Sequence, residues 1–321
     1  MPLVRIVARN NGAGLSRDMR LVQDTLRLDG FDTELIGFDD HRLKTWWQQK
    51  QLECRRIRAD VQIFIERVYA RTLPLARRNL LIPNPEWFKA EWKPVLSAFD
   101  RILCKSREAV EVFSGLGCRA EHIAFTSDDR YDAGVKREPT FFHLAGRSSA
   151  KGTSLLTDIW SCHPEWPPLT IVQSPKKAKP IAAPNIDYRL GYKDDRELRA
   201  LQNRHAFHLC PSEAEGFGHY IAEGMSVKAV VLTTDGAPMN ELIQPDRGVL
   251  VAAQSSLPDN LGIRYRANPE MLESAIESMM RMPEAEREGK GEAARDFYLD
   301  QQKYFRGRLT EVVHETMSDA T

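Results

Sequence analysis

The stretch AFHLCPSEAEGFGHYIAEGMS, residues 206–226, joins an apolar run to a glycine-rich loop and then to a segment with helical spacing. The run predicts a strand buried on both faces, and the pattern after Gly218 predicts a helix. A strand followed by a short loop and a helix is the repeating unit of α/β proteins with parallel sheets. This stretch therefore predicts an α/β fold with a doubly wound sheet.

Similar strand-like runs occur on both sides of this stretch. They lie at 4–8, 33–38, 61–65, 79–83 and 101–106, and again at 140–146, 169–173, 186–190, 206–210 and 229–234. A polar, charged segment at 127–139 separates the two series. We therefore predict two facing Rossmann-like domains with a boundary near residue 138, and a ligand site in the cleft that the strand ends face.

Capping residues set the expected limits of several helices. Ser16 is the predicted N-cap of a helix that ends at Gly30, and Ser106 that of a helix ending at Gly115 or Gly117. The last helical segment, about 284–317, combines many charges with an apolar stripe. These signals agree with helices packed on both faces of two sheets.

Composition excludes several classes of function. Lys plus Arg and Asp plus Glu number 45 each in a chain of 321 residues, so no overall field attracts nucleic acid or anionic lipid. Five scattered cysteines without a C-x-x-C pair favour reduced thiols and a cytoplasmic protein. The N-terminus lacks a signal-peptide pattern, and no apolar run reaches the length of a membrane span. We expect a soluble protein, at most peripheral at the membrane.

The two glutamates of the opening stretch suggest recognition of a sugar nucleotide. Glu215 is expected in the loop and Glu223 in the helix, and each carboxylate can accept hydrogen bonds from neighbouring sugar hydroxyls. The glycines and the N–H groups of the helix start can accommodate a phosphate between them. Alternatively, Glu223 is a solvated helix residue and the glycines only form a turn.

Two cations follow an earlier strand. In GRSSAKG, residues 146–152, Arg147 and Lys151 occupy the loop before a helix that Thr153 or Ser154 is expected to cap. Cations at this position can stabilise a departing diphosphate, although each alone could be an ordinary surface charge. Together with the glutamate pair they favour a nucleotide-diphosphate-sugar site.

These motifs resemble family 4 of the retaining glycosyltransferases, which have the GT-B fold. The likeness rests on the E-x7-E pair Glu215 and Glu223, on EGFGHYIAEGMS and GRSSAKG, on LGYKDDRELRAL (190–201) and on TTDGAPMNELI (233–243). It implies an acceptor-binding domain at 1–138, a donor-binding domain at 139–295, and a C-terminal helix at 296–321 that crosses back to the first domain.

The resemblance also implies roles for individual residues. Arg147 and Lys151 would hold the diphosphate, Glu215 the sugar hydroxyls and Glu223 the ribose, while the backbone of Gly191 and Tyr192 would border the base. Gly216, Phe217 and Gly218 belong to the same donor loop. The implied enzyme is a hexosyltransferase that uses a UDP-sugar or, less commonly, a GDP-sugar, with retention and without a metal or other cofactor.

Three features depart from the family pattern. Only three residues separate Arg147 from Lys151, which is one fewer than usual. The family's N-domain histidine is absent, and Asn84 or Glu86 occupies the corresponding segment LLIPNPEWF (80–88). The basic loop SPKKAKPIAAP (174–184) lies where the family has a longer stretch.

Other candidate motifs carry less information. Gly12 and Gly14 could bring backbone close to the donor phosphates, or could form a plain strand-to-helix turn. A full dinucleotide fingerprint is missing because position 17 is arginine. Adjacent aspartates and scattered histidines show no metal-ligand spacing, so we expect no metal site.

The segment HRLKTWWQQKQLECRRIR, residues 41–58, is the best indication of the acceptor. It combines six basic residues with Trp46 and Trp47, which suits an anionic membrane or a charged acceptor. A lipid-linked or envelope saccharide is the favoured acceptor, and nucleic acid is a less favoured alternative. Tryptophans packed inward would give the same pattern without any binding role. A noncatalytic sugar-nucleotide-binding partner of another transferase is the alternative to an enzyme.

Overall fold

The computed structural model describes residues 1–10, 14–55 and 57–319, which form two compact units. Unit 1 comprises Met1–Thr126, Asp259–Gly262 and the chain from Gln301 onward, and unit 2 comprises Ser127–Pro258 and Ile263–Asp300. The chain thus first passes from unit 1 to unit 2 before the boundary predicted near residue 138. Within the described ranges, no helix is long and apolar enough to span a membrane.

Unit 1 contains a parallel sheet with helices between its strands. Its elements are β1 (Leu3–Arg9), α1 (Gly14–Leu28), β2 (Asp32–Phe38), α2 (Arg42–Cys54), β3 (Ala59–Ile65), β4 (Ala76–Ile82), β5 (Arg101–Cys104), α3 (Arg107–Gly115) and β6 (Ala120–His122). Short 3₁₀ helices at Ala70–Leu75, Pro85–Trp87 and Ala90–Ala98 interrupt this alternation. All described pairings in the strand order β2-β1-β3-β4-β5-β6 are parallel.

Unit 2 repeats the architecture with a larger sheet. Its elements are β7 (Glu138–Gly146), α4 (Thr153–Cys162), β8 (Leu169–Gln173), β9 (Ile186–Leu190), α5 (Asp195–Arg204), β10 (His205–Cys210), α6 (His219–Ser226), β11 (Val230–Asp235), α7 (Met239–Leu242), β12 (Gly248–Asp259), β13 (Gly262–Ala267), α8 (Pro269–Met280) and α9 (Glu284–Ser318). The strand order is β13-β12-β11-β10-β7-β8-β9. Helix α9 continues beyond Asp300 into the segment assigned to unit 1. The predicted α/β class and the two Rossmann-like sheets are confirmed.

Each sheet has a core of side chains from strands buried on both faces. In unit 1, Phe64, Leu81, Ile102 and Phe113 pack together with at most 1% of their surface exposed. In unit 2, Phe141 stacks on Phe207 and meets Trp160 edge to face. Continuous apolar runs, rather than alternating ones, therefore marked these strands correctly.

The capping predictions had mixed outcomes. Ser106 caps α3, because its hydroxyl accepts a hydrogen bond from the Ala109 N–H at 3.1 Å. The prediction of Ser16 as an N-cap is wrong, since α1 begins earlier, at Gly14. Neither Thr153 nor Ser154 caps α4, because Gly152 occupies the N-cap in a left-handed conformation with φ of 71°. Close packing, described below, explains why glycine stands there.

Candidate functional site

The loops that follow β7 and β10 lie side by side in unit 2. The two strands are parallel neighbours, with Phe141 paired to Phe207, so both chains leave the sheet at the same edge. The Glu213 N–H donates to the Ala150 carbonyl at 2.9 Å. Gly152 lets the loops approach this closely, because a Cβ there would lie 2.4 Å from the Pro211 carbonyl oxygen. The sequence motifs around Lys151 and Glu215 are thus brought together by backbone contact.

Lys151 and Glu215 form a half-buried ion pair at this edge. Lys151 Nζ lies 2.5 Å from Glu215 Oε1, and their side chains are 17% and 12% exposed. The Ser212 hydroxyl donates to the same carboxylate oxygen and also contacts the Tyr220 hydroxyl. Lys151 Nζ sits 3.6 Å from the centre of the Tyr220 ring, so the ammonium is held by both charge and aromatic face. The lysine and glutamate that the sequence suggested are therefore one structural unit.

Burial keeps the groups around this pair neutral. Burial raises the pKa of the Tyr220 phenol and of the Cys210 thiol well above their ordinary values. Neither group therefore ionises near neutral pH, and the pair between Lys151 and Glu215 carries the charge of this cluster.

His143 connects the two strands to the following helix. Its Nδ1 lies 2.7 Å from the Leu209 carbonyl and its Nε2 lies 2.8 Å from the Thr153 hydroxyl. Burial lowers the pKa of His143 to about 4, so the ring is neutral, donates from Nδ1 and accepts from Thr153 at Nε2. This histidine fixes the start of α4 against β10. Sequence reasoning missed it, although a histidine inside the apolar run TFFHLAG was a signal.

The start of α6 lies directly after the glutamate loop. Gly218 is its N-cap with φ of 97°, and its carbonyl accepts from the Ile221 and Ala222 N–H groups at 2.9 and 3.1 Å. A side chain at Gly218 would be strained by this φ. Phe217 is 5% exposed and so packs into the unit, whereas Gly216 remains partly exposed. The positive end of the helix dipole therefore follows Glu215 closely in sequence, and Lys151 contacts the Tyr220 ring in the first turn of α6.

Glu223 lies deeper than a solvated helix residue would. It is 2% exposed, and its carboxylate accepts a 2.6 Å hydrogen bond from the Gln202 side chain. Gln202 in turn accepts from Arg130 at 3.0 Å, and Arg130 pairs with Asp195. A buried carboxylate held by a chain of polar groups is not a surface charge, so the alternative of a solvated Glu223 is wrong. Neither Gln202 nor Arg130 was recognised from the sequence.

Among the remaining donor-side candidates, Arg147 and Tyr192 are exposed and Gly191 is partly buried. Arg147 follows Gly146, which has φ of 56°, and forms no ion pair with any residue that the structure describes. Gly191 has φ of 98° and donates to the Gln173 carbonyl at 3.1 Å, so it turns the chain at the end of β9. Tyr192 next to it is 91% exposed. Within the described chain, the side chains of Arg147 and Tyr192 thus present a cation and an aromatic ring without hydrogen-bond partners.

The candidates in unit 1 have diverse environments. Gly12 lies outside the described residues, and Gly14 is the first residue of α1. Asn84 and Glu86 are both 8% exposed, at the beginning of the 3₁₀ helix Pro85–Trp87. Trp46 and Trp47 are 41% and 62% exposed on α2, so the packed alternative does not describe them. No cluster of three or more metal-ligating side chains occurs among the described residues.

Comparison with known proteins establishes the architecture. No protein-family model matches the chain, and no curated protein matches its sequence. Solved structures do match: sucrose-phosphate synthase from Thermosynechococcus elongatus, with a TM-score of 0.77, 11% identity and full coverage of both chains, and a glycosyltransferase from Rickettsia africae, with a TM-score of 0.75, 13% identity and 99% coverage of both. HepE from Anabaena in complex with UDP-glucose also matches, with a TM-score of 0.71, 12% identity and full coverage.

The chain has the GT-B fold. Its structural neighbours are glycosyltransferases, and they share both Rossmann-like sheets with it. At these identities the likeness concerns architecture, so the chemistry depends on the residues of unit 2 described above. Within this GT-B chain, those residues lie where open α/β sheets bind ligands, beyond the carboxyl ends of the strands.

Proposed function

We propose that this protein is a glycosyltransferase that moves a hexose-type sugar from a nucleotide-diphosphate sugar to an acceptor. The observation that carries the proposal is the ion pair between Lys151 and Glu215, next to Gly218 at the start of α6. It combines a cation, a sugar-binding carboxylate and a helix start at one edge of the unit 2 sheet. The resemblance to family 4 glycosyltransferases, seen in the sequence, assigns the same residues to donor binding.

Each group has a role in the proposed reaction. Arg147 and Lys151 stabilise the negative charge that develops on the diphosphate as the sugar departs. Binding the diphosphate to Lys151 draws the ammonium from Glu215, whose carboxylate then accepts hydrogen bonds from sugar hydroxyls. Glu223 accepts from the ribose, and the backbone of Gly191 and Tyr192 borders the base. The Ser212 hydroxyl keeps Glu215 in position during this exchange.

We favour a UDP-sugar over a GDP-sugar. Structures of HepE from Anabaena contain UDP, or UDP-glucose, and GtfA from pneumococcus contains UDP with GlcNAc. We further propose retention of configuration, with the departing diphosphate assisting deprotonation of the acceptor on the same face, and activity without a metal ion. Proton NMR of the first-formed product tests the stereochemistry, since a β-linked product from an α-linked donor would refute retention. Full activity in EDTA is the expected result for metal independence.

Donor turnover tests the central proposal. Purified protein is incubated with a panel of UDP- and GDP-sugars, with and without saccharide acceptors, and release of nucleotide diphosphate and free sugar is measured. We expect turnover with at least one UDP-sugar. Nucleotide binding without release of sugar from any donor would instead support the noncatalytic sugar-nucleotide-binding partner.

For the acceptor, we propose a lipid-linked or envelope saccharide that the protein reaches by peripheral contact with the cytoplasmic membrane face. Trp46 and Trp47 project from α2, where only Gln49 and Leu52 are buried. Arg71 lies 5.6 Å from the Trp46 ring centre, so basic and aromatic groups share one surface. Such a surface suits the headgroup region of an anionic bilayer. A nucleic acid acceptor remains the alternative, which the liposome experiment below distinguishes.

A further inference from the structure

A group of polar side chains lies at the carboxyl edge of the unit 1 sheet, apart from the residues proposed to bind the donor. Arg9 ends β1, while Glu66, Asn84 and Lys105 directly follow or nearly follow β3, β4 and β5. Parallel strands bring these positions to one edge. Glu66, Asn84 and Lys105 are 9%, 8% and 5% exposed, so this is a buried polar cluster and not a solvated surface.

Most charges in this cluster are compensated. Lys105 Nζ lies 2.8 Å from Asp18 Oδ2, and both side chains are almost fully buried. Arg9 and Arg67 both pair with Asp40, at 3.0 and 3.4 Å. Three cations and two carboxylates are thus joined in ion pairs, and one carboxylate of the cluster remains.

Glu66 is that carboxylate. It forms no ion pair with a described residue, and the hydrogen bond that it accepts from Asn84 Nδ2 is long, at 3.3 Å. A carboxylate can accept about four hydrogen bonds, so most of its capacity is unused within the described chain. Burial raises the pKa of Glu66, against the opposing effect of Lys105 and Arg9.

Within the described chain, neighbouring polar atoms also lack hydrogen-bond partners. Asn84 Oδ1, the Tyr69 hydroxyl and Arg9 Nε are buried and have no hydrogen-bond partner among the described residues. Tyr69 interacts electrostatically with both Glu66 and Arg9, which places its hydroxyl in the same cluster. An acceptor, a hydroxyl and a donor left unpaired together are costly in a folded protein. Their combination matches a ligand that both donates and accepts hydrogen bonds.

The backbone at Glu66 is also strained. Its φ is 66°, and the Arg67 N–H donates to the Ile65 carbonyl at 2.8 Å, which closes a three-residue γ-turn. The form of this turn with positive φ is rare and strained for residues other than glycine. Glycine would adopt it freely, yet the chain places there a buried carboxylate that forms no direct ion pair with a described residue. Strain of this kind concentrates at ligand-binding sites.

We propose that Glu66, Asn84 and Tyr69 bind the hydroxyl groups of a saccharide acceptor, with Glu66 accepting a hydrogen bond from one of them. A neutral sugar ring fits the chemistry better than an ion does. Glu66 and the Asn84 carbonyl oppose an anion, while Arg9, Arg67 and Lys105 oppose an ammonium group. This proposal deepens the proposed function, since it identifies an acceptor-positioning residue in the unit that does not hold the donor.

Binding of small glycosides tests the proposal separately from donor chemistry. The methyl α-glycosides of glucose, galactose and mannose are titrated into the full chain by saturation-transfer NMR, and UDP is titrated by calorimetry. We expect at least one glycoside to bind the wild type, and Glu66→Gln and Glu66→Gly to weaken it by about tenfold or more. UDP affinity should stay unchanged in both variants. Glu91→Gln, an exposed glutamate of the same unit, is the matched control.

Two further measurements separate binding from folding. Glu66→Gly should melt at or above the wild-type temperature, because it removes the strained φ and the buried carboxylate together. Glycoside affinity of the wild type should fall as acid protonates Glu66, and Glu66→Gln should abolish that dependence. The titratable or charged groups that face Glu66 are Arg9 of β1, Asp18 of α1, Arg67, Tyr69 and Lys105.

The outcomes are distinct for the two proposals. If no glycoside binds the wild type, or if Glu66→Gln binds as tightly as the wild type, the acceptor site at Glu66 is wrong. If glycosides bind as expected but UDP does not, the acceptor site stands and the proposed donor chemistry fails.

Discussion

The carboxyl edges of the two sheets differ in how they compensate buried polar groups. In unit 2, Lys151 neutralises Glu215, Ser212 and Tyr220 complete the cluster, and Glu223 is held by Gln202. In unit 1, Glu66 has neither an ion pair among the described residues nor a strain-free backbone. The charged groups around Lys151 are thus paired with one another, whereas Glu66 leaves most of its hydrogen-bonding capacity unused within the described chain.

The two units also differ in the pKa shifts of their buried titratable groups. Unit 2 buries three histidines, and burial lowers the pKa of His143 and His205 to about 4 and that of His208 to about 3. Unit 1 buries Glu66, whose pKa is raised. A buried base with a lowered pKa loses stability as pH falls below its unfolded pKa, whereas a buried acid with a raised pKa gains stability as pH falls from that raised pKa towards its unfolded value. The buried histidines of unit 2 and Glu66 of unit 1 therefore contribute to stability in acid with opposite signs.

The largest expected effect is acid destabilisation of unit 2. Between pH 6.5 and pH 4 the unfolded histidines bind protons that the folded ones do not, so the free energy of unfolding falls by about 2 kcal/mol per buried histidine at pH 5. Hydrogen exchange with mass spectrometry, corrected for intrinsic rates, should show unit 2 peptides losing protection from pH 7 to pH 5. Unit 1 peptides should change much less.

Replacing one buried histidine tests whether these residues cause the acid response of unit 2. His208→Gln should reduce the pH dependence of unit 2 by about one third, because one of three contributing groups is removed. The exposed His41 provides the control, and His41→Gln should leave the dependence as it is. Equal loss of protection in the two units would show that the buried histidines do not set the acid response.

The next largest effect is expected on replacing Arg147 or Lys151, the two cations proposed to hold the diphosphate. Arg147→Ala should lower donor turnover by about 100- to 1000-fold, because a charge on the developing diphosphate is lost. The melting temperature should not change, since Arg147 is exposed and forms no ion pair with a described residue. Turnover is measured by release of UDP from UDP-glucose, or from the best donor of the panel.

Lys151→Met should show that Lys151, unlike Arg147, both binds the donor and stabilises the fold through its ion pair with Glu215. It should lose turnover to a similar extent and also lower the free energy of unfolding by about 1–3 kcal/mol, because Glu215 is left without its partner. The exposed Arg196 gives the matched control, and Arg196→Ala should retain full activity. For the preceding prediction, normal turnover in Arg147→Ala would show that Arg147 does not bind the donor diphosphate.

Replacing Glu223 should chiefly affect donor binding. Glu223→Ala should weaken UDP binding by about 1.5–3 kcal/mol, since hydrogen bonds from the ribose to a charged acceptor are lost. Gln202→Ala distinguishes this role from a structural one, because it disrupts the same chain of hydrogen bonds without removing the carboxylate. An unchanged Kd for UDP in Glu223→Ala, measured by calorimetry, would leave Glu223 with only a structural role.

The smallest expected effect is at the surface of α2. Binding to liposomes should increase with anionic lipid content and decrease with salt, with about 1 kcal/mol from each basic residue near the surface. Trp46→Ser with Trp47→Ser should abolish cosedimentation, whereas Trp87→Ser, an exposed tryptophan elsewhere in unit 1, should not. Binding to DNA with steep salt dependence, and none to vesicles, would favour the nucleic acid alternative.

Periodicity and glycine placement predicted much of this structure. The runs at 140–146 and 206–210 became β7 and β10, and the segment around Glu223 became α6. The sequence assigned Lys151 and Glu215 to one donor site by resemblance, but the neighbouring positions of β7 and β10 that bring their loops together are seen only in the fold. The sequence did not predict β13, α8 or the 3₁₀ helices, whose limits depend on tertiary packing more than on local pattern.

The missed site residues have a common physical reason. Gln202 and Arg130 are polar residues in ordinary segments, and only the folded chain shows that they support Glu223. Glu66 follows an apolar strand without a glycine or asparagine to mark its positive φ. The choice of Gly152 as N-cap depends on a contact with Pro211, which lies far away in sequence. Local signals cannot report such long-range contacts.

The decisive measurement for donor binding at Lys151 and Glu215 is a crystal structure of the protein soaked with UDP-glucose. We expect the diphosphate within hydrogen-bonding distance of Arg147 and Lys151 beside the start of α6, with glucose hydroxyls on Glu215 and the ribose at Glu223. Density for UDP-glucose at any other place in unit 2, or a saturated soak that leaves the ion pair between Lys151 and Glu215 without a donor beside it, would contradict it.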